Sequence, residues 1–255
     1  MLYRLSNFIG VPIEATDGEI GKINDVYFDD HRWAVRYLVV DTNWLLGRKV
    51  LISAISVGSI NREESVVHVR LTRNQIESSP NIDTDKPVSR QHEVDYFDYY
   101  GYPYYWSGPA LWGAVSDPLL PLSAVPPVVN APGESGEAPI DPRLRSAKEV
   151  TGYYIHASDA SVGHVEDFLL DEVSWAIRYV VVDTRNWLPG KHVVIPPQWI
   201  TEVDWSERAL KVDVTRDRVQ VAPEYHTGMD FSRAQEDHFY RHYQRPAYWQ
   251  QPAGP

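Results

Sequence analysis

Hydrophobic residues in this chain come in short clusters broken by polar pairs, a spacing suited to strands rather than to long helices. Ile20 to Phe28 and Trp33 to Val40 are rich in Val, Ile, Tyr and Phe and are separated by Asp29-Asp30-His31-Arg32. β-Branched and aromatic side chains pack well on a pleated surface, so both segments are predicted strands. Shorter strands are predicted at Pro12 to Ala15, Lys49 to Ile52, Ser56 to Ile60 and Ser65 to Leu71. Alternation is poor after Trp33: Val35, Tyr37 and Val39 share its face, while Ala34, Leu38 and Val40 make the other face apolar too. A half-exposed strand needs one apolar face, so the second is expected to be covered by another domain or by a helix.

The same pattern recurs later in the chain. Residues 10 to 42 match residues 152 to 184, which sets Gly10, Asp17, Gly21, Asp25, Trp33, Arg36, Tyr37 and Asp41 against Gly152, Asp159, Gly163, Asp167, Trp175, Arg178, Tyr179 and Asp183. The offset is 142 until the inserted Arg185 makes it 143, and the match then runs to Pro80 and Pro223. A repeat of this length implies two copies of one fold, each of about 75 residues. Copy two is predicted to have strands at Tyr154 to Ala157, Val162 to Leu170, Trp175 to Val182, His192 to Ile195, Ile200 to Asp204 and Ala209 to Val214. A symmetric hairpin about Asp30-His31 opposes Phe28 to Trp33 and Asp25 to Arg36, and in copy two Asp167 to Arg178. These are expected to be structural ion pairs that hold strand register. Trp33 and Trp175, at equivalent positions on strands with two apolar faces, are expected to pack between the copies.

The copies define the domains: 1–80 and 147–223, with a linker at 81–146 and a tail at 224–255. The linker holds more than half of the 19 prolines and is expected to be extended or irregular, its second half from Pro118 to Pro142 mobile. Its first half is too aromatic for a spacer. Tyr99, Tyr100, Tyr102, Tyr104, Tyr105 and Trp106 are expected to lie against a domain or to offer a partner surface, with Trp249 of the tail as a weaker second patch. A short helix is predicted in the tail from Asp230 to Tyr243.

Charge and composition narrow the function. Lys and Arg number 24 against 35 Asp and Glu, a net charge of −11, and no segment concentrates positive charge. A surface of that sign repels polyanions, which argues against direct nucleic-acid binding. With no cysteine, thiolate nucleophiles, disulfides and cysteine metal sites are excluded. No apolar run is long enough for a transmembrane anchor, and the N-terminal stretch lacks a signal-peptide pattern, so a cytoplasmic location is expected. His238 and His242 stand four apart, but the residues between them are Phe-Tyr-Arg, and no metal site is expected. No phosphate loop, triad or paired-carboxylate arrangement nominates a catalytic residue or a cofactor. The 9 Trp and 16 Tyr against 6 Phe suit contacts that are partly wet, as interfaces are.

The unit running from Gly10 through Gly21-Lys22-Ile23-Asn24-Asp25 to Trp33-Ala34-Val35-Arg36-Tyr37 and Val50-Leu51-Ile52 resembles the PRC-barrel domain family. Copy two resembles it at Gly163 to Leu170, Trp175 to Asp183 and Val193 to Ile195. That family includes the cytoplasmic part of the photosynthetic reaction centre H subunit and the C-terminal domain of the ribosomal maturation factor RimM. The resemblance implies an all-β fold, two small PRC-type β-barrels joined by a long proline- and aromatic-rich linker. It also implies a docking module with no catalytic residues. The expected function is a non-enzymatic docking or assembly protein, a stress-related one among the candidates, with a protein partner and with homo-oligomers left open. The alternative is a small-molecule binding protein with its site between the barrels.

Overall fold

The computed structural model describes residues 2–42, 48–81, 88–118, 143–184, 191–226 and 231–250. The chain divides into two compact units, and the division does not follow the order of the chain. The copy-one unit is Asn7–Ala147 with Val173–Ala176; the copy-two unit is Met1–Ser6, Lys148–Glu172 and Ile177–Pro255. The first strand, β1 (Leu2–Arg4), thus belongs with copy two.

In the copy-one unit the strands are β2 (Pro12–Ala15), β3 (Gly18–Asp29), β4 (Ala34–Thr42), β5 (Lys49–Ser53), β6 (Val57–Asn61), β7 (Val66–Val69) and β8 (Leu144–Ser146). Their order is β5-β4-β3-β2-β7-β6, with β8 added antiparallel to the far end of β3. Only β2 and β7 are parallel among these pairs. Helix α1 (Arg73–Glu77) follows β7, and α2 (Arg90–Tyr100) lies within the joining segment. The copy-two unit repeats the plan after the short α3 (Ala147–Val150). Its strands β9 (Tyr154–His156), β10 (Ser161–Asp171), β11 (Ile177–Asp183), β12 (His192–Ile195), β13 (Ile200–Asp204) and β14 (Ala209–Val212) run β12-β11-β10-β9-β14-β13, with β1 on β10. Helices α4 (Arg216–Gln220) and α5 (Arg233–Tyr243) complete it.

Two expectations need correction. Both sheets are mixed, open paths whose end strands do not pair with each other, so neither is a closed barrel. Five α-helices lie among the described residues, so the fold is not all-β. The helix α2 also replaces the extended backbone expected in the linker, while residues 119–142, expected to be mobile, lie outside the described residues. The tail helix begins at Arg233 rather than Asp230, which is outside the described residues too; Ser232 precedes it, its N–H donating to Gln235 Oε1 at 2.7 Å.

Strand register differs from the symmetric hairpin. Phe28 faces Val35 and Asp25 faces Val39, with irregularities between Ile23 and Asp25 and between Tyr27 and Phe28. The cause is a wider turn. Asp29 Oδ1 accepts from the backbone N–H of His31 at 2.9 Å and of Arg32 at 3.2 Å, an Asx turn that keeps Asp30 to Trp33 out of the ladder. Trp33 and Trp175 close the two turns with φ of 51° and 58°, in the left-handed region that non-glycine residues seldom occupy.

Gly21 lets β3 approach β4 closely, because a Cβ there would collide with the Asp41 carbonyl oxygen; Gly163 meets Asp183 in the same way. Strand β4 is buried on both faces, with Val35, Tyr37, Leu38 and Val40 all at 0% exposure. Each such side chain contributes about 1.5–3 kcal/mol on leaving water. One of those faces is covered by α2, whose Tyr96 and Phe97 rings meet Tyr37 at 5.4 Å and 6.4 Å.

Candidate functional site

Helices α2 and α5 occupy equivalent places, and each carries one buried carboxylate to a strand tyrosine. Ser89 caps α2 by accepting from the His92 N–H at 3.2 Å, and Gly101 ends it in the left-handed conformation. Glu93, Tyr96, Phe97 and Tyr100 then share one face at helical spacing. Glu93 is 3% exposed; its Oε1 accepts from Tyr37 at 3.0 Å and Tyr105 at 2.7 Å, and its Oε2 pairs with Arg90 at 2.8 Å. In copy two, Glu236 accepts from Tyr179 at 2.8 Å and pairs with Arg233 at 3.0 Å. Burial pushes both carboxyls above their ordinary range, against the opposing pull of the arginines and tyrosines. Burial also raises the phenols of Tyr37 and Tyr105 well above theirs. The set forms a buried polar network whose members satisfy one another.

Beside each carboxylate an arginine lies over aromatic rings, two in copy one and one in copy two. Arg36, fully buried, pairs with Asp29 at 3.1 Å, donates to the Leu111 carbonyl at 2.9 Å and lies 3.8 Å over Tyr105 and 4.6 Å over Trp112. Burial lowers its pKa against the pull of Tyr105 and Asp29. Arg178 pairs with Asp171 at 3.2 Å and lies 4.2 Å over Tyr248. The partners are therefore Asp29 and Asp171, not Asp25 and Asp167. Those two aspartates instead hold the added strands. Asp167 accepts from Arg4 Nε at 2.6 Å and from the Ser6 hydroxyl and N–H at 2.5 Å and 3.1 Å; Asp25 accepts from the Ser146 hydroxyl at 2.5 Å.

The aromatic track divides. Tyr105 is 2% exposed and belongs to the interior. Trp106 is half-buried, stacked on Tyr104 at 4.8 Å with Arg90 4.2 Å over its ring. Tyr104, half-buried, donates to Asp98 at 2.5 Å, which pushes its phenol up to about 12. Trp249 is half-buried under Arg233 at 3.9 Å, the same arrangement as Trp106 and Arg90. Trp33 stacks on Phe28 at 5.3 Å, and Trp175, fully buried in the copy-one unit, meets Phe8 at 5.9 Å.

Tyr99 is exposed, and Tyr100 and Tyr102 are half-buried beside it. With Ile55, Arg70, Leu71 and Gln75 they line a groove of about 540 Å³ in the copy-one unit. Their hydroxyls are committed: Tyr99 and Tyr100 donate to the Gln75 carbonyl at 2.9 Å and 3.4 Å, and Tyr102 shares a hydrogen bond with Ser56 at 2.9 Å. The rings, with Tyr100 and Tyr102 stacked at 5.3 Å, are thus held in place as the walls.

The structure also shows what the strand pattern did not give. The offset of 143 continues past Pro80, setting Ser89, Arg90, Glu93, Tyr96, Phe97, Tyr100, Pro103, Tyr105 and Trp106 against Ser232, Arg233, Glu236, Phe239, Tyr240, Tyr243, Pro246, Tyr248 and Trp249. The joining segment and the tail therefore carry the helical part of each repeat. The signal was the unchanged offset, hidden by the irregular stretch between.

Among the described residues no group of three His, Asp or Glu could hold a metal ion, and no helix is long and apolar enough to cross a membrane. His242 instead lies 3.2 Å from the Arg218 carbonyl. The family model described as PRC-barrel domain matches residues 1–76 and again residues 145–221. The comparison with curated proteins gives no match.

Proposed function

The chain belongs to the PRC-barrel domain family, with two such domains in tandem, and from that we propose a non-enzymatic docking or assembly protein whose contact surface is the outward part of the copy-one aromatic layer. One observation carries the reading: Tyr99, Tyr100 and Tyr102 wall a groove while their hydroxyls are already bound to Gln75 and Ser56. Rings fixed before contact lose little side-chain entropy on binding, and tyrosine is among the residues that most often dominate interface energy. The buried Glu93 network beneath them supplies the rigid support.

The test replaces Tyr99 and Tyr102 with serine and compares native complexes recovered from cell lysate with those of the unaltered chain. Loss of a specific complex with unchanged circular dichroism is expected. Full recovery of every complex by a folded variant removes this surface from the proposal. A groove of about 540 Å³ also has the size of a small-molecule site, and reproducible binding of a purified metabolite there, without any protein partner, favours that second reading.

A further inference from the structure

The positions that line the groove of the copy-one unit have counterparts in copy two, and the two sets differ in charge. The offset sets Ser56, Arg70, Gln75, Tyr99 and Tyr102 against Trp199, Asp213, Arg218, His242 and Arg245. The correspondence holds in space, for Tyr99 donates to the Gln75 carbonyl as His242 Nε2 meets the Arg218 carbonyl. In copy two Arg245 pairs with Asp213 at 2.9 Å and lies 4.8 Å over Trp199, so the chain closes an ion pair there by itself. In copy one Tyr102 stands where Arg245 would, and Arg70 stands where Asp213 would. Arg70 is exposed and donates to the Ile55 carbonyl at 2.6 Å; among the described residues no carboxylate is paired with it.

Resting on the docking reading, we propose that the groove receives an acidic peptide segment of a protein partner. Its carboxylate meets Arg70, and an adjoining apolar or aromatic side chain lies on the rings of Tyr99, Tyr100 and Tyr102. The partner thereby supplies the ion pair that copy two makes internally. Ring faces provide the apolar contact, and the guanidinium, already oriented by Ile55, sets the sign of the charge that fits.

The experiment titrates the full chain with a fluorescently labelled acetyl-Gly-Asp-Phe-Glu-Gly-amide peptide, its Asn and Gln analogue, and phenylacetate. The acidic peptide is expected to bind saturably below millimolar concentration. The amide analogue and Arg70→Gln should each weaken binding about fivefold, as one partly exposed ion pair allows. Arg70→Asp with Tyr102→Arg, which installs the copy-two pair, should abolish it while circular dichroism stays unchanged. Absence of saturable binding to the unaltered chain, equal affinity for the amide analogue, or indifference to Arg70→Gln overturns the proposal; phenylacetate binding as tightly as the peptide overturns it in favour of a free organic acid. If serine at Tyr99 and Tyr102 removes a native complex that Arg70→Gln leaves intact, the acidic chemistry fails and the docking reading stands. If neither substitution affects any complex, the docking reading fails as well.

Discussion

Arg4 precedes every strand of copy one, yet its guanidinium lies 2.6 Å from Asp167 of copy two. Ser146, at the equivalent place before copy two, bonds to Asp25 of copy one at 2.5 Å. The exchange is reciprocal in the backbone as well, since Leu2 pairs with Asp171 and Leu144 with Asp29. Each sheet is thus completed by the strand that opens the other repeat.

Removing the aspartate should therefore injure the copy-two sheet first. Asp167→Ala deletes a buried carboxylate that accepts from Arg4, Ser6 and Phe168, and is expected to cost about 2–4 kcal/mol. Hydrogen exchange should show lost protection along β10 while β3 keeps its own. Equal loss in both strands would count against the exchanged strand as the cause.

Arg36 and Arg178 make the same aspartate contact at different depths. Arg36→Ala leaves Asp29 buried without its cation and should cost about 3–5 kcal/mol. The Arg178 side chain is 25% exposed, so water takes over part of its role and Arg178→Ala should cost roughly 1–2 kcal/mol. Denaturant titration of the two variants orders them; a larger loss at Arg178 contradicts the burial argument.

The carboxylates under the helices set a pH dependence. Burial raises Glu93 and Glu236 above the ordinary 4.5. Between that value and the raised one the folded chain holds more protons than the unfolded chain, so their contribution to stability falls as pH rises through the window. Glu93→Gln with Glu236→Gln keeps an acceptor for the tyrosines and removes the titration. The variant should lose less stability than the unaltered chain from pH of about 4.5 upward, measured by denaturation at stepped pH; parallel curves contradict the prediction.

Two glycines with positive φ separate crowding from backbone strain. Gly10 has φ of 84° and open space where a Cβ would stand, so Gly10→Ala should cost about 1 kcal/mol. Gly21→Ala drives a methyl into the Asp41 carbonyl and should cost roughly 3 kcal/mol or more, by forcing β3 from β4. Thermal melts of the two variants compare them directly.

Much of the strand layout is legible because β-branched and aromatic clusters state it locally, as in Ile20 to Phe28 and Trp33 to Val40. The opposition of Asp25 to Arg36 fails because a symmetric hairpin assumes a tight turn, whereas the Asp29 side chain builds a wider one. That the sheets stay open rather than closing into the expected barrels is not legible at all, since pairing between distant strands leaves no trace in local periodicity. The aromatic track looks like a surface because tyrosine is ambiguous. Tyr105 is interior through its bond to Glu93, and only comparison with Tyr248 across the offset shows that the position repeats.

The exchange of opening strands also fixes an order of events during synthesis. Arg4 and Asp167 are 163 residues apart, so at about 5–20 residues per second the nascent segment waits roughly 8–30 s before its partner has been made. For that interval the segment lacks its partner strand, and Arg4 carries a charge of the kind that keeps unpaired strands from joining wrong neighbours. The β1–β10 ladder, which joins residues far apart in the chain, is therefore expected to form after the local hairpin of β10 and β11.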